Sequence, residues 1–376
     1  MAWTERYANF DLTTGADDGT SEADAWKTLA SMQAGVAAGH RVNIKRQSSP
    51  YVSTAAITWN TAGTQTAPIW YRGYSSTIGD GGRWQLELGT TLHHFTSSGA
   101  YALLDSIEFN ASSGGSNNLD FGSTNHWLLN CKVIQTGTQN PSCGNAINCY
   151  FDLGRTRMTG GGTNSYNSTF LNCVFKRDSA LAPTTGSEIL NFEATNRSIL
   201  VQNCVFHGDG LSGINGITIG NGSTARFVQF IRNRFYNVNH GISITLEPDA
   251  VREDILIHQN VLSTCAGYAI NQAAATYLGY VRHFGNAYHS CTSGYTNYPD
   301  ESVYMPAVSL TNSPFVDPSN GDFSINNDAS GGALVTAFGF PIQMPIDTNA
   351  DAIETLRGSS GSGGWGFRRR PRTVGA

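Results

Sequence analysis

The stretches FLNCVF at 170–175 and VQNCVF at 201–206 share four of six residues, and LLNCKV at 128–133 is a third variant. A recurring Asn-Cys pair has four readings: a reactive thiol, a metal ligand, half of a disulfide, or a packing position. Aligned on the cysteine, the equivalent positions are Asp105, Cys131, Cys173, Cys204, Asn233, Asn260 and Asn286. The later intervals settle to a common step, and the longest runs from Cys131 to Cys173. Two positions further on stand Ile107, Val133, Phe175, Phe206, Phe235, Leu262 and Tyr288, all apolar or aromatic. A second element recurs at the same step between these copies, in GITI (216–219), GISI (241–244) and GYAI (267–270).

Each repeat of about 26 residues thus holds at least two short period-2 segments separated by Gly, Asn, Ser and Thr clusters. A unit this small cannot bury its own apolar face, so successive units must stack. A propeller blade needs about 40 residues, and a leucine-rich repeat needs a dense leucine pattern that is missing. The remaining architecture is a parallel β-helix. Segment 19–39, GTSEADAWKTLASMQAGVAAG, reads as an amphipathic helix capping the open end, with Ser21 as N-cap and Trp26, Leu29, Met32 and Val36 on one face.

DDGTSEADAWKTL (17–29), the coil repeats and SPFVDPSNGDFSI (313–325) together resemble the right-handed parallel β-helix proteins of the pectate-lyase-like superfamily, over roughly residues 15 to 340. The resemblance implies the fold: all-β, with an N-terminal capping helix. It does not choose among lyases, glycoside hydrolases, phage tailspikes and structural proteins. The expected organisation is an N-terminal segment and cap at 1–45, a β-helix at 46–340, a closing segment at 341–357, and a Gly/Ser linker with a basic tail at 358–376.

Stacking puts Cys131, Cys173, Cys204, Asn233, Asn260 and Asn286 in one column with a rise of about 4.8 Å per coil. Cys265 and Cys291, at a matching offset from Asn260 and Asn286, form a second column. No C-x₂-C spacing points to zinc, and seven cysteines are an odd number. Both columns are read as packing ladders.

Asp178 and Asp209 share a register on neighbouring coils and are the candidate catalytic pair, since carboxylates about 5 Å apart suit a retaining glycosidase. Two such acids could also hold Ca²⁺, but no acid cluster accompanies the basic candidates Arg155, Arg157, Arg177, Arg226, Arg232 and Arg234. No cofactor is therefore expected. The acids of EPDAVREDI (247–255) read as a charged loop pairing with Arg252, and His93, His94 and His207 as structural. Asn-Thr-Asp, Gly-His-Gly and Arg-Ile-Lys, the run expected of a polygalacturonase-like enzyme, are missing. Tyr277, Tyr280, Tyr288, Tyr295, Tyr298 and Tyr304 crowd the last coils, where they seal the stack or stack on sugar rings.

Charged residues make up 14% of the 376, against roughly 25% in ordinary globular chains. A net charge of −5 implies no general affinity for nucleic acid or an anionic membrane. No run of about 18 apolar residues offers a span, and MAWTERYANF has no basic region before an apolar one. After a Gly/Ser tether the tail carries Arg368, Arg369, Arg370 and Arg372, an anchor for an acidic partner such as another virion or surface protein. These features lead to the expectation of a non-enzymatic structural protein of a phage virion or surface appendage, contacting glycans, as a monomer or trimer. The alternatives are a polysaccharide lyase or glycoside hydrolase, and a carbohydrate-binding surface protein.

Overall fold

The computed structural model describes residues 3–89, 94–97, 99–111, 118–121, 125–135, 139–154, 157–160, 167–177, 188–192, 198–208, 213–220, 227–245, 254–272, 281–295 and 308–337. Among these, three parallel sheets of 11, 11 and 10 strands run side by side, and the chain visits them in a fixed order. We call them A (from Thr4–Ala8 to Val281–Phe284), B (from Tyr51–Ser53 to Val308–Leu310) and C (from Ile57–Trp59 to Ser293–Tyr295). Each circuit A to B to C is one coil of a β-helix, and every inter-coil pairing is parallel and in register.

The Asn-Cys repeat is the corner between sheets A and B. From Trp127–Leu129 onward, only a pair of residues separates an A strand from its B strand. The first takes a left-handed backbone: Asn130, Asn148, Asn172, Asn203, Arg232, Gln259 and Gly285, with φ between 51° and 62°. Asn and Gly adopt that conformation at little cost. The second is the ladder residue. The register adds a member that the sequence spacing hides: Cys149, in INCYF, divides the long interval between Cys131 and Cys173 into two coils. At the start of the column the spacing errs. Asp105 pairs with Leu129, so Ile107 and not Asp105 precedes Cys131.

Cysteine gives way to asparagine along this column because both side chains point a donor at the same place. The Sγ of Cys131, Cys173 and Cys204 donates to the carbonyls of Leu104, Ala146 and Phe170 in the coil before, at 3.1, 3.6 and 3.5 Å. The Nδ2 of Asn233, Asn260 and Asn286 donates to Val201, Phe230 and Ile257 at 3.0, 2.9 and 3.1 Å. The amides add a second set of bonds: Asn260 Oδ1 accepts from Asn233 N and Nδ2, and Asn286 Oδ1 from Asn260 N and Nδ2. Burial pushes the Cys131, Cys149 and Cys173 thiols well above their ordinary range, which disfavours thiolate chemistry there. Beside the ladder, Phe151, Phe175, Phe206 and Phe235 stack at 4.8, 4.9 and 4.9 Å along the core.

The N-terminal helix is shorter than the sequence pattern predicts. It spans Leu29–Gly35, with Thr28 as N-cap in a capping box closed by Ser31. Ser21 instead closes a turn, its Oγ accepting from Asp24 N at 3.1 Å. Trp26 is extended and bridges Ala8, while Trp26, Leu29, Met32 and Val36 all enter the main core. Thr4–Ala8 is itself the first strand of sheet A, pairing with His40–Lys45. The GYAI glycine is also out of step: Gly241 pairs in line with Ala269, not Gly267.

Near the end of the chain, Phe315–Asp317 and Asp322–Ile325 form an antiparallel pair, followed by the helix Gly332–Ala337. Phe315, Phe323, Ile325 and Val335 pack with Val205, Val261, Ala287 and Leu310 in a cluster separate from the main core. Val205 and Val261 flank the inward-facing Phe206 and Leu262, so this cluster packs on the outer face of the later strands of sheet B.

Candidate functional site on the outer face of sheet C

The three outer faces differ in chemistry. The later strands of sheet B carry the apolar cluster just described. On sheet A an aliphatic stripe of Leu103, Leu129, Ile147 and Leu171 packs with Trp70. Sheet C carries a polar column. Thr58, Thr96, Asp120, Ser142 and Thr159 occupy the same register position on successive coils. Asn191, Thr218, Ser243 and Asn271 continue it. Most are flanked by residues of the main core, for instance Asp120 by Leu119 and Phe121, Thr218 by Ile217 and Ile219, and strand alternation turns the polar member outward.

Side chains within the column bond to one another. Ser142 Oγ donates to Asp120 Oδ1. Asn271 Nδ2 donates to Ser243 Oγ at 3.4 Å, and Asn215, at the start of the same strand as Thr218 but outside the column, donates from Nδ2 to Thr218 Oγ1 at 3.5 Å. Asn191, Thr218 and Ser243 are buried although they point away from the core. The long connections lead to and from this sheet: residues 177–187 and 208–214 precede its strands, and 193–197, 220–226 and 245–253 follow them. The A–B corner, by contrast, keeps one short length.

At one edge of the column a charged group gathers around Glu188, the first residue of the strand Glu188–Phe192 that carries Asn191. Arg157 Nη1 lies 3.3 Å from Glu188 Oε2, and Arg177 Nη1 donates to the Glu188 carbonyl at 2.6 Å. Arg177 is fully buried, and burial, with Arg157 nearby, pulls its pKa down to about 10 despite the attraction of Glu188. The Arg157 side chain retains 20% of its exposure, so its guanidinium is partly reachable.

The sequence-derived candidates fare unevenly. Asp178 and Asp209 lie outside the described residues, as do Arg155, Arg226, Arg252, His93, Tyr277, Tyr280, Tyr298, Tyr304 and the tail arginines 368, 369, 370 and 372. Arg157 and Arg177 meet at Glu188. Arg232 sits at the A–B corner, its Nε bonded to Gln259 Oε1 at 2.9 Å, and Arg234 is buried on the outer side of sheet B. Tyr288 and Tyr295 pack against the main core. His207 is buried between Tyr236 and Phe323, with ring centroids at 5.5 and 5.4 Å. Cys265 and Cys291 share a register position, just past the pair Ser263 and His289.

A Ca²⁺ site does not fit what is described. No group of three His, Cys, Asp or Glu gathers among the described residues. The acids on sheet C, Asp120 and Glu188, are three coils apart, a separation of about 14 Å at a rise of roughly 4.8 Å per coil. Among the described residues no helix is long and apolar enough to cross a membrane.

No protein-family model matches the chain, and no curated protein matches it. Solved structures do. A pectate lyase, Pel9A, matches with 13% identity and a TM-score of 0.52, covering 92% of this chain and 90% of its own. A mannuronic-acid-specific family 6 polysaccharide lyase from human gut microbiota matches at 13% identity and TM-score 0.43, over 81% and 78%. A protein of Geobacillus virus E2 matches at 11% identity and TM-score 0.37, over 81% of this chain and 60% of its own. The fold is a right-handed parallel β-helix, like that of the pectate lyase. The expectation of a non-enzymatic virion or appendage protein is corrected by the same finding, because the structure matched over nine-tenths of both chains is an enzyme.

Proposed function

We propose that this protein is a polysaccharide lyase that binds an acidic glycan on the outer face of sheet C. The observation that carries the reading is the union of the polar column with the Arg157–Glu188–Arg177 group at its edge. Hydroxyls and amides in a row at coil spacing suit sugar hydroxyls, and a reachable guanidinium suits a uronate carboxylate. The likeness to a pectate lyase supports the reaction class.

In such a β-elimination the C5–H bond of a uronate breaks, its electron pair becomes the C4=C5 double bond, and the C4–O bond breaks with the proton passing to the departing oxygen. Arg157 neutralises the uronate carboxylate, which acidifies the C5 proton. Glu188 and Arg177 hold Arg157 and its strand in place. A hydrolase needs two carboxylates about 5–9.5 Å apart. Asp120 and Glu188, at three coils, are too far from each other for that role.

The test is release of unsaturated uronide ends from a panel including polygalacturonate and alginate, by wild type and Arg157→Ala. Wild type should yield unsaturated product, and the variant should lose at least about tenfold in kcat/KM, the scale of a lost charge-assisted contact in the transition state. Saturated reducing ends, or no product from any uronate polymer, would overturn the proposal.

A further inference from the structure

We propose that Cys265 and Cys291 form a redox-controlled staple between the last coils of the β-helix, closed by exchange with a low-molecular-weight disulfide. The two residues occupy one inward column: Val261, Leu262 and Ser263 pair with Ala287, Tyr288 and His289, which brings position 265 opposite 291. Val238 holds the same position one coil earlier. In-register parallel neighbours have Cα atoms about 4.8 Å apart, within the window of about 4.4–6.8 Å that a disulfide spans. Both residues lie at a corner, just past or at the end of their strands, where the backbone can shift by the fraction of an ångström that closer Cβ approach requires.

Access separates this pair from the other stacked thiols. Cys131, Cys149, Cys173 and Cys204 are buried in mid-stack, as is Cys143, whereas Cys291 is half-buried at the end. Its Sγ contacts the Leu262 and His289 carbonyls at 3.7 and 3.5 Å, so it points back towards the preceding coil. The neighbouring thiol is the main influence on each group, lowering the pKa of Cys291 and raising that of Cys265. The more exposed sulfur is thus the better nucleophile.

The chemistry balances in two exchanges. The Cys291 thiolate attacks the external disulfide, forming a mixed disulfide and expelling one small thiolate. Cys265, as thiolate, then attacks the Cys291 sulfur, forming the 265–291 bond and releasing the second small thiol. One disulfide is consumed, two thiols are released, and the protein loses two hydrogens.

The experiment treats the native full-length protein with oxidised glutathione and reads intact mass, peptide mass and thermal midpoint. The expected result is a loss of two hydrogens mapped to a 265–291 cross-link, loss of native-state alkylation at Cys291, and a rise in Tm of a few degrees that dithiothreitol reverses. Cys265→Val, which repeats the residue that Val238 places in this column, keeps the column filled and should arrest at a stable glutathione adduct on Cys291. A persistent adduct on the wild type, or a cross-link found only after denaturation, would overturn the proposal.

Discussion

Two columns of in-register side chains run along this solenoid, one at the A–B corner and one on sheet C, and they are built on opposite terms. At the corner, from Cys131 to Asn286, the connection keeps one short length, the side chains point inward, and Cys131, Cys173, Cys204 and the three asparagines donate to a carbonyl of the coil before. On sheet C, from Thr58 to Asn271, the flanking connections vary in length, and the side chains are hydroxyls, amides and one acid pointing outward. The first column ties coil to coil, so only a donor of limited size is tolerated. The second also bonds across coils, from Ser142 to Asp120 and from Asn271 to Ser243, but its outward hydroxyls, amides and acid vary from coil to coil. Repetition in a solenoid thus marks scaffold, and departure from repetition marks the place to look for chemistry.

The sharpest way to break the corner column is at its most bonded member. Asn260→Ala removes the donor to Phe230 O and the acceptor for Asn233 N and Nδ2, all buried. Each orphaned group costs about 1–3 kcal/mol, so a loss of roughly 3–5 kcal/mol is expected in denaturant titration. Acid acts next. Burial holds His126 and His283 neutral, lowering each pKa from 6.5 to about 4. Well above 6.5 these histidines are neutral in the folded and the unfolded chain alike. Between 6.5 and about 4 the unfolded chain binds the extra protons, so stability falls as pH falls through that window, by up to two protons' worth of slope. Guanidinium unfolding at a series of pH values reads this directly, and Gln at both positions should flatten it.

A smaller effect of opposite sign is expected at the other corner. Thr264 has φ of 58°, a conformation a β-branched residue resists, and it stands in register between Asn237 at 57° and Ser290 at 49°. Thr264→Asn should stabilise by about 1 kcal/mol, read as a shift in the denaturation midpoint.

How far the sequence reveals this architecture follows from the same contrast. The coil repeat is legible because inward positions admit few residue types, so Asn-Cys and the phenylalanines recur. Cys149 hides because its coil, running only from Cys131, is unusually short and merges with the next into one interval. Asp105 is misplaced by the spacing because Ser106, not Asn, makes the left-handed turn in that coil, and the Asn-Cys anchor is missing. The polar column is invisible for a different reason. Thr, Ser, Asn and Asp are also the usual residues of turns, and connections of unequal length destroy any constant spacing between its members. Arg157 and Arg177 stand out as bases in the sequence, but their meeting at Glu188 depends on pairing across coils.

The central claim, that sheet C acts on a glycan while the corner column only builds the fold, is tested most directly by pairing one substitution from each column. Arg157→Ala and Cys173→Ala should be assayed together for unsaturated uronide release at a temperature where circular dichroism shows both folded. Cys173→Ala, which removes a buried sulfur and its bond to Ala146 O, should lose about 1–2 kcal/mol of stability and keep wild-type kcat. Arg157→Ala should remain folded at the assay temperature and lose turnover. Folded Cys173→Ala without activity, or Arg157→Ala with full activity, would contradict the account.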